Sequence, residues 1–119
     1  PGTLCPKKEK VVDVGAATVR CMRKNVPATV PGIVFLSGGQ DEVKATQHLN
    51  VMKALGDVPW QLSFSFGRAL QAPALKAWGG RAENVRAAQD ALLYRARCNS
   101  LARSGKYPGE SEVLTPAYA

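Results

Sequence analysis

The sequence has 119 residues, of which 45% are hydrophobic and 21% charged, enough for one globular domain with its own core. No apolar run approaches the ~20 residues of a membrane-spanning helix, and we expect no membrane partner. The formal net charge of +7 favours acidic partners, such as nucleic acid or phosphorylated ligands. Because the basic residues are scattered and not interleaved with aromatic ones, we expect no nucleic acid; a basic nucleic-acid module stays as an alternative.

The cysteine and histidine content argues against a metal centre. Cys5, Cys21 and Cys98 lack metal-ligand spacing, and their odd number favours free thiols in a reducing compartment. His48 is the only histidine, which excludes a site built from several histidines. We expect His48 on the surface of a helix, and we expect neither a metal ion nor a cofactor.

The first half of the chain predicts a helix, a strand and a second helix. Apolar residues recur at helical spacing over 7–25, and the following Val-Pro pair ends that helix. The apolar run at 33–36 predicts a short buried strand. Helical spacing returns over 41–55, with acidic residues in the first turn. The apolar stripe of that helix is Ala45, Leu49 and Met52.

The second half predicts a strand, two helices and a tail. Residues 60–66 alternate between apolar and polar positions, as a strand does. A short helix beginning near Pro73 and ending at the glycine pair 79–80 follows. The longest helix spans 83–104, and we expect a mobile tail over 106–119. The apolar face predicted for the longest helix is Val85, Ala88, Leu92 and Ala96.

This order, α-β-α-β-α-α, predicts an α/β fold with a parallel sheet of βα units. A parallel sheet is normally buried on both faces, which two strands with flanking helices do not achieve. We therefore expect residues 1–105 to be one part of a larger α/β structure.

The residues after the first strand predict an anion site. Ser37, Gly38 and Gly39 lie between a strand end and a helix start, where free N–H groups and the helix dipole attract phosphate. Leu-Ser-Gly-Gly-Gln is also the signature of ABC-type ATPases, but the chain has no G-x-x-x-x-G-K pattern followed by Ser or Thr. A plain strand-to-helix turn is the alternative.

A second loop of this kind follows the second strand, with Gly67 and Arg68. Glycine permits close approach of the backbone, and arginine offers a fork of donors suited to phosphate. In (β/α)8 barrels the loops after the last two strands often form a phosphate site, followed by a short extra helix. Residues 72–78 are the candidate for that helix.

Catalytic groups are sparse. A Schiff-base lysine needs a desolvated position, usually on a barrel strand, and no predicted strand here carries lysine. Tyr118 in the tail is the remaining candidate, because an extended chain from Tyr107 spans about 36 Å and can reach an active-site mouth. A frayed terminus is the alternative.

Four stretches of the chain resemble class I fructose-1,6-bisphosphate aldolase: PGIVFLSGGQ at 31–40, SFSFGRALQ at 63–71, LKAWGG at 75–80, and Asn-Ser with Gly-Lys-Tyr at 99–107. The resemblance follows the family order over nearly the whole chain but covers only the C-terminal third of the family's length. It implies that residues 1–105 are the C-terminal portion of a TIM (β/α)8 barrel, with about two parallel strands, flanking helices and the mobile tail 106–119.

The resemblance implies a lyase of glycolysis and gluconeogenesis. That enzyme cleaves fructose 1,6-bisphosphate reversibly to dihydroxyacetone phosphate and glyceraldehyde 3-phosphate through a Schiff base, without a metal. The full-length protein would be a homotetramer in the cytoplasm or a plastid. Tyr118 would assist proton transfer as a catalytic residue. The residues that would bind substrate phosphate are Ser37, Gly38, Gly39, Ser65, Gly67 and Arg68.

The chain departs from the family pattern in three respects. The Schiff-base lysine would lie just before Pro1, and the acid/base carboxylates belong to earlier strands. Ala119 follows Tyr118, where the family ends in tyrosine. We therefore expect the 119 residues to supply the phosphate-binding part and to be inactive alone. The alternative is a non-catalytic phosphate-binding or scaffold fragment with an aldolase-like surface.

Overall fold

A computed structural model describes residue 2 and residues 4–110, and it confirms the predicted α/β order. The elements are α1 (Val11–Asn25), β1 (Gly32–Phe35), α2 (Glu42–Ala54), β2 (Gln61–Phe64), α3 (Arg68–Trp78) and α4 (Val85–Arg103), with a 3-10 turn at Ala82–Asn84. No helix in this part of the chain is long and apolar enough to cross a membrane.

The two strands pair in parallel, with Ile33 opposite Leu62 and Phe35 opposite Phe64. Helix α2 is the crossover between them, as a parallel pair requires. The pairing continues past β2, since the Ser65 N–H donates to the Phe35 carbonyl at 2.8 Å. Both strands therefore end at one edge of the sheet, and the loops that follow them are neighbours.

Strand β1 is only half buried, so the prediction of a buried strand was wrong. Ile33 and Phe35 pack on the core, whereas Val34 is 59% exposed and Leu36 is 74% exposed. Alternate strand residues point to opposite faces, and the described helices pack against one face only.

Helix α2 lies at the centre of the core and contacts α1, α3 and α4. Its predicted stripe of Ala45, Leu49 and Met52 is buried, as the helical spacing indicated. Helix α1 crosses it closely at Gly15, where an added Cβ would lie 2.1 Å from Val51 Cγ1. Only glycine allows this approach.

Two helix starts differ from their predictions. Helix α1 begins at Val11 rather than residue 7, because three lysines in a first turn would oppose the helix dipole. Helix α3 begins at Arg68 rather than near Pro73, which lies inside it. The Gly67 carbonyl accepts hydrogen bonds from the N–H groups of Leu70 and Gln71, both at 3.0 Å, and so opens the helix earlier.

Helix α4 packs with a different face from the one predicted. Val85 and Leu92, from the expected apolar face, are 44% and 40% exposed. The buried residues of α4 are Arg95, Cys98, Asn99 and Ala102. The apolar pattern predicted the wrong face because two of the buried residues, Arg95 and Asn99, are polar and form hydrogen bonds inside the protein.

Candidate functional site

The loop after β1 presents two backbone N–H groups to solvent. Gly38 and Gly39 have φ of 61° and 80°, a left-handed backbone that favours glycine. Within the described chain, neither of their N–H groups donates a hydrogen bond. Ser37, just before them, is buried, with 7% of its surface exposed. The loop therefore has a fixed base and an exposed rim of donors.

The start of α2, behind this loop, is already occupied by acidic groups. Asp41 is the N-cap residue, and its Oδ1 accepts the Lys44 N–H at 2.8 Å. Glu42 adds a second carboxylate in the first turn. These charges compensate the positive end of the helix dipole. The predicted contribution of this dipole to an anion site is therefore weak. The backbone N–H groups of Gly38 and Gly39 are the donors that this loop can still offer to an anion.

The start of α3 has the opposite character. Gly67 precedes it without any side-chain cap, and the first turn contains no acidic residue. Arg68 is the first helical residue and is exposed, as are Ser65 and Gly67. The N-terminus of α3 thus combines free N–H groups, a positive dipole end and a guanidinium at the same sheet edge as the glycine loop.

A second layer of side chains holds the glycine loop from behind. The Ser37 carbonyl accepts from the backbone N–H of Gln40 at 3.1 Å and from its side-chain Nε2 at 2.6 Å. The Oε1 of Gln40 in turn meets Nδ1 of His48 on α2. His48 lies on a helix, as predicted, but it is half-buried and not fully on the surface. Sequence reasoning missed both side chains, because their eight-residue separation matches no known motif.

Burial and a nearby positive charge act on His48. Desolvation, followed by the charge of Lys44, lowers the pKa of His48 below its ordinary 6.5, while Asp41 opposes the shift. His48 and Lys44 line a cavity of about 380 Å³ beside Gly38 and Gly39. The histidine is therefore mainly neutral at physiological pH, and it lines the cavity beside the glycine loop.

A buried polar cluster fixes the other side of α2. Arg95, 2% exposed, donates from Nη2 to the Glu42 carbonyl at 2.9 Å and to the Thr46 hydroxyl, and its Nη1 pairs with Glu110. The Thr46 hydroxyl also donates to Asn99 Oδ1 at 2.7 Å. This cluster joins α2, α4 and residue 110.

The cluster holds the first residues of the predicted tail. The Tyr107 side chain is buried, and its N–H donates to Asn50 Oδ1 at 3.0 Å. Glu110 accepts from the Cys98 thiol at 3.3 Å. Residues 106–110 therefore pack on the helices. Tyr118 lies outside the described residues, and the division of the chain at 105 stays a prediction.

Within residue 2 and residues 4–110, no group of three His, Cys, Asp or Glu side chains could hold a metal ion. Cys5, Cys21 and Cys98 are free thiols, in agreement with the prediction. No strand of the described chain carries a lysine.

Comparison with known proteins identifies the family. A family model of glycolytic class-I fructose-bisphosphate aldolase matches residues 1–117, and the chain belongs to this family. The chain is 52% identical over 112 residues to a fructose-bisphosphate aldolase of Dictyostelium discoideum, and 54% identical over 114 residues to cytoplasmic isozyme 2 of Pisum sativum. The resemblance stated from the sequence is thereby confirmed.

These matches cover most of this chain but little of the relatives. They take in 94% and 95% of this chain, and the chain spans 31% and 32% of the two relatives. A structure of fructose-bisphosphate aldolase from Plasmodium falciparum, in complex with TRAP and a small-molecule inhibitor, superimposes with a TM-score of 0.86 at 54% identity. It matches 91% of this chain and 31% of that one.

Proposed function

We propose that this chain supplies the phosphate-binding part of a class I fructose-bisphosphate aldolase. The longer protein would cleave fructose 1,6-bisphosphate reversibly to dihydroxyacetone phosphate and glyceraldehyde 3-phosphate through a Schiff base. In this proposal β1 and β2 are the last two strands of a (β/α)8 barrel. The family match, the parallel pairing and the uncovered face of β1 support it.

The observation that carries the proposal is the difference between the two loops at the sheet edge. The glycine loop offers free N–H groups, and the neighbouring helix start offers an uncompensated dipole and a guanidinium. Phosphate binds most strongly where backbone donors and a bidentate arginine converge. Ser37, Gly38 and Gly39 then hold one side of a substrate phosphate. Its other side contacts Ser65, Gly67 and Arg68.

The remaining assignments follow the family. The Schiff-base lysine belongs to an earlier part of the barrel, so the 119 residues are inactive alone. Tyr118 assists proton transfer from the tail. The assembly is a homotetramer, which light scattering of the full-length protein tests. Its location is the cytoplasm or a plastid; relatives include cytoplasmic and chloroplastic enzymes.

The decisive experiment measures aldol cleavage by the full-length protein with Arg68→Ala and Arg68→Lys. We expect Arg68→Ala to raise KM for fructose 1,6-bisphosphate about 10- to 100-fold, since a hydrogen bond to a charged group contributes ~1.5–3 kcal/mol. Lysine should restore part of this, because it keeps the charge but loses the fork. Arg97→Ala, an exposed arginine on α4, is the matched control.

Two outcomes would contradict the proposal. One is borohydride-trappable cleavage by the 119 residues alone, which would place the catalytic lysine within them. The other is a full-length protein that binds inorganic phosphate but does not cleave the sugar bisphosphate. That result would favour the alternative of a non-catalytic phosphate-binding protein.

A further inference from the structure

The glycine loop is closed by two hydrogen bonds, which both run from Gln40 to the carbonyl of Ser37. The Ser37 carbonyl accepts from the backbone N–H and the side-chain Nε2 of Gln40, at 3.1 Å and 2.6 Å. The chain between Ser37 and Gln40 consists of Gly38 and Gly39, and glycine has more backbone freedom than any other residue type. The Gln40 amide therefore spans the loop and closes it.

Hydrogen-bond chemistry fixes the direction of this amide. A carbonyl oxygen can only accept, so the NH2 group of Gln40 must face Ser37. The amide oxygen then faces His48 Nδ1, and because it too only accepts, Nδ1 must carry a hydrogen. Neutral His48 is therefore the Nδ1–H tautomer. Its Nε2 is buried and has no partner among the described residues.

We propose that Gln40 and His48 are a positioning pair that holds the backbone donors of Gly38 and Gly39 in the geometry needed to bind phosphate. This rests on the proposed function of the loop. Gln40 acts on the loop directly, and His48 acts by keeping the Gln40 amide in the one orientation that closes it. Neither side chain needs to touch the phosphate.

The pair works through hydrogen bonding, not through charge. Protonation of His48 would add a hydrogen at Nε2 and leave the Nδ1–H donor to Gln40 in place. Among the described residues, the charged groups around the imidazole are Asp41 and Lys44 on α2, with Lys8 and Glu9 across the cavity. The proposal therefore predicts that the hydrogen bond from Nδ1–H to the Gln40 amide oxygen persists above and below the pKa of His48.

The test compares two substitutions of His48 in the full-length protein. The side-chain nitrogen of asparagine falls near the position of Nδ1, whereas that of glutamine falls near Nε2. We expect His48→Gln to weaken binding of inorganic phosphate about 3-fold, the cost of one ordinary hydrogen bond. His48→Asn should recover most of that loss. Equal affinities of the two variants would overturn the assignment of Nδ1.

Gln40→Met removes both contacts of the amide with little change in size. We expect it to raise the Kd for inorganic phosphate, and KM for fructose 1,6-bisphosphate, about 5- to 10-fold while kcat changes less than 2-fold. Because His48 acts through Gln40, adding His48→Gln to Gln40→Met should cause no further loss. Additive losses would show that His48 acts independently and would overturn the pair.

Two controls separate this inference from the proposed function and from misfolding. If Arg68→Ala leaves the phosphate Kd unchanged, the phosphate site itself is wrong. If Arg68→Ala weakens binding and Gln40→Met does not, only the positioning pair is wrong. ¹⁵N NMR of the imidazole, assigned by its absence in His48→Gln, should show the Nδ1–H tautomer in the folded wild type; the Nε2–H tautomer would contradict the inference.

Discussion

Helices α2 and α3 begin at the same edge of the sheet, yet their first turns are built in opposite ways. Helix α2 has an acidic cap, a second carboxylate, and a carbonyl held by Arg95. Helix α3 begins at a bare glycine with no acid in its first turn and an exposed arginine. The first end is closed and structural, and the second is open to an anion. Position after a strand therefore does not by itself make a helix start a binding site.

The largest effect should come from opening the closed end. Arg95→Met removes the buried partner of an ion pair and leaves Glu110, whose side chain is 31% exposed, without its cation; it also removes the donor to the Glu42 carbonyl. Breaking a fully buried pair costs about 3–5 kcal/mol, and the exposure of Glu110 places this loss near the lower end of that range. Urea unfolding of the full-length protein measures this loss, and hydrogen exchange should quicken in the first turn of α2. Arg97→Ala, exposed on the same helix, should change neither.

The next effect comes from closing the open end. Gly67→Asp places a carboxylate at the start of α3, where an added Cβ meets nothing within 4 Å. The carboxylate should repel phosphate and weaken its binding about 30-fold, or ~2 kcal/mol. Because the added Cβ meets no neighbour, the unfolding midpoint should stay nearly the same. Titration calorimetry with inorganic phosphate measures the affinity, and thermal unfolding measures the midpoint. An unchanged affinity would refute the view that the start of α3 is the end that is open to an anion.

A smaller effect is expected at the acidic cap of α2. Asp41→Ala removes the acceptor of the Lys44 N–H and should cost about 1 kcal/mol of stability. Asp41→Asn keeps a capping oxygen without the charge and should cost less. Neither variant should change phosphate binding. A gain of affinity in Asp41→Asn, which removes the charge that compensates the dipole, would mean that α2, and not α3, is the end that meets the ligand.

The smallest expected effect is a pH dependence of stability that comes from His48 on α2 and has no counterpart on α3. Burial lowers the pKa of His48 below 6.5 in the folded protein, so the unfolded chain binds more protons just below 6.5. Stability is therefore unaffected above 6.5 and falls as the pH drops through that value towards the folded-state pKa. Urea midpoints from about pH 8 to about pH 5 should show this fall in the wild type and not in His48→Asn.

The carboxyl of Glu110 titrates in a separate, more acidic range. Burial acts to raise its pKa, but the hydroxyl of Tyr107, the thiol of Cys98 and the charge of Arg95 outweigh burial and lower the pKa below 4.5. The stability that Glu110 contributes is therefore complete above 4.5 and lost as the pH falls through the folded-state pKa. A loss of stability that is confined to this acidic range, in His48→Asn as well as in the wild type, would be assigned to Glu110.

Sequence patterns predicted those features that depend on apolar periodicity or on glycine. The element order, the parallel pairing and the stripe of α2 are confirmed because burial of apolar side chains decides them. The left-handed backbone at Gly38 and Gly39 agrees with the predicted loop. The phosphate-binding role of the six residues at the sheet edge stays a prediction.

Features that depend on long-range hydrogen bonds could not be predicted. Arg95 and Asn99 lie outside the apolar face predicted for α4, yet they are buried, with hydrogen bonds to Thr46, Glu42 and Glu110 from other parts of the chain. The start of α3 at Arg68 was missed for a local reason. Proline favours a first helical position, but the Gly67 carbonyl accepts the first helical bonds six residues earlier.

The buried thiol of Cys98 gives the chain an internal reporter. Burial, together with the hydrogen bond to Glu110, raises the pKa of Cys98 to about 11, so almost none of it is the nucleophilic thiolate at neutral pH. Cys21 is exposed, whereas Cys98 is fully buried in the core. We expect a thiol-reactive dye to label Cys21 first and to reach Cys98 only when the packing around it opens. The labelling rate of Cys98 then measures how often this part of the core opens.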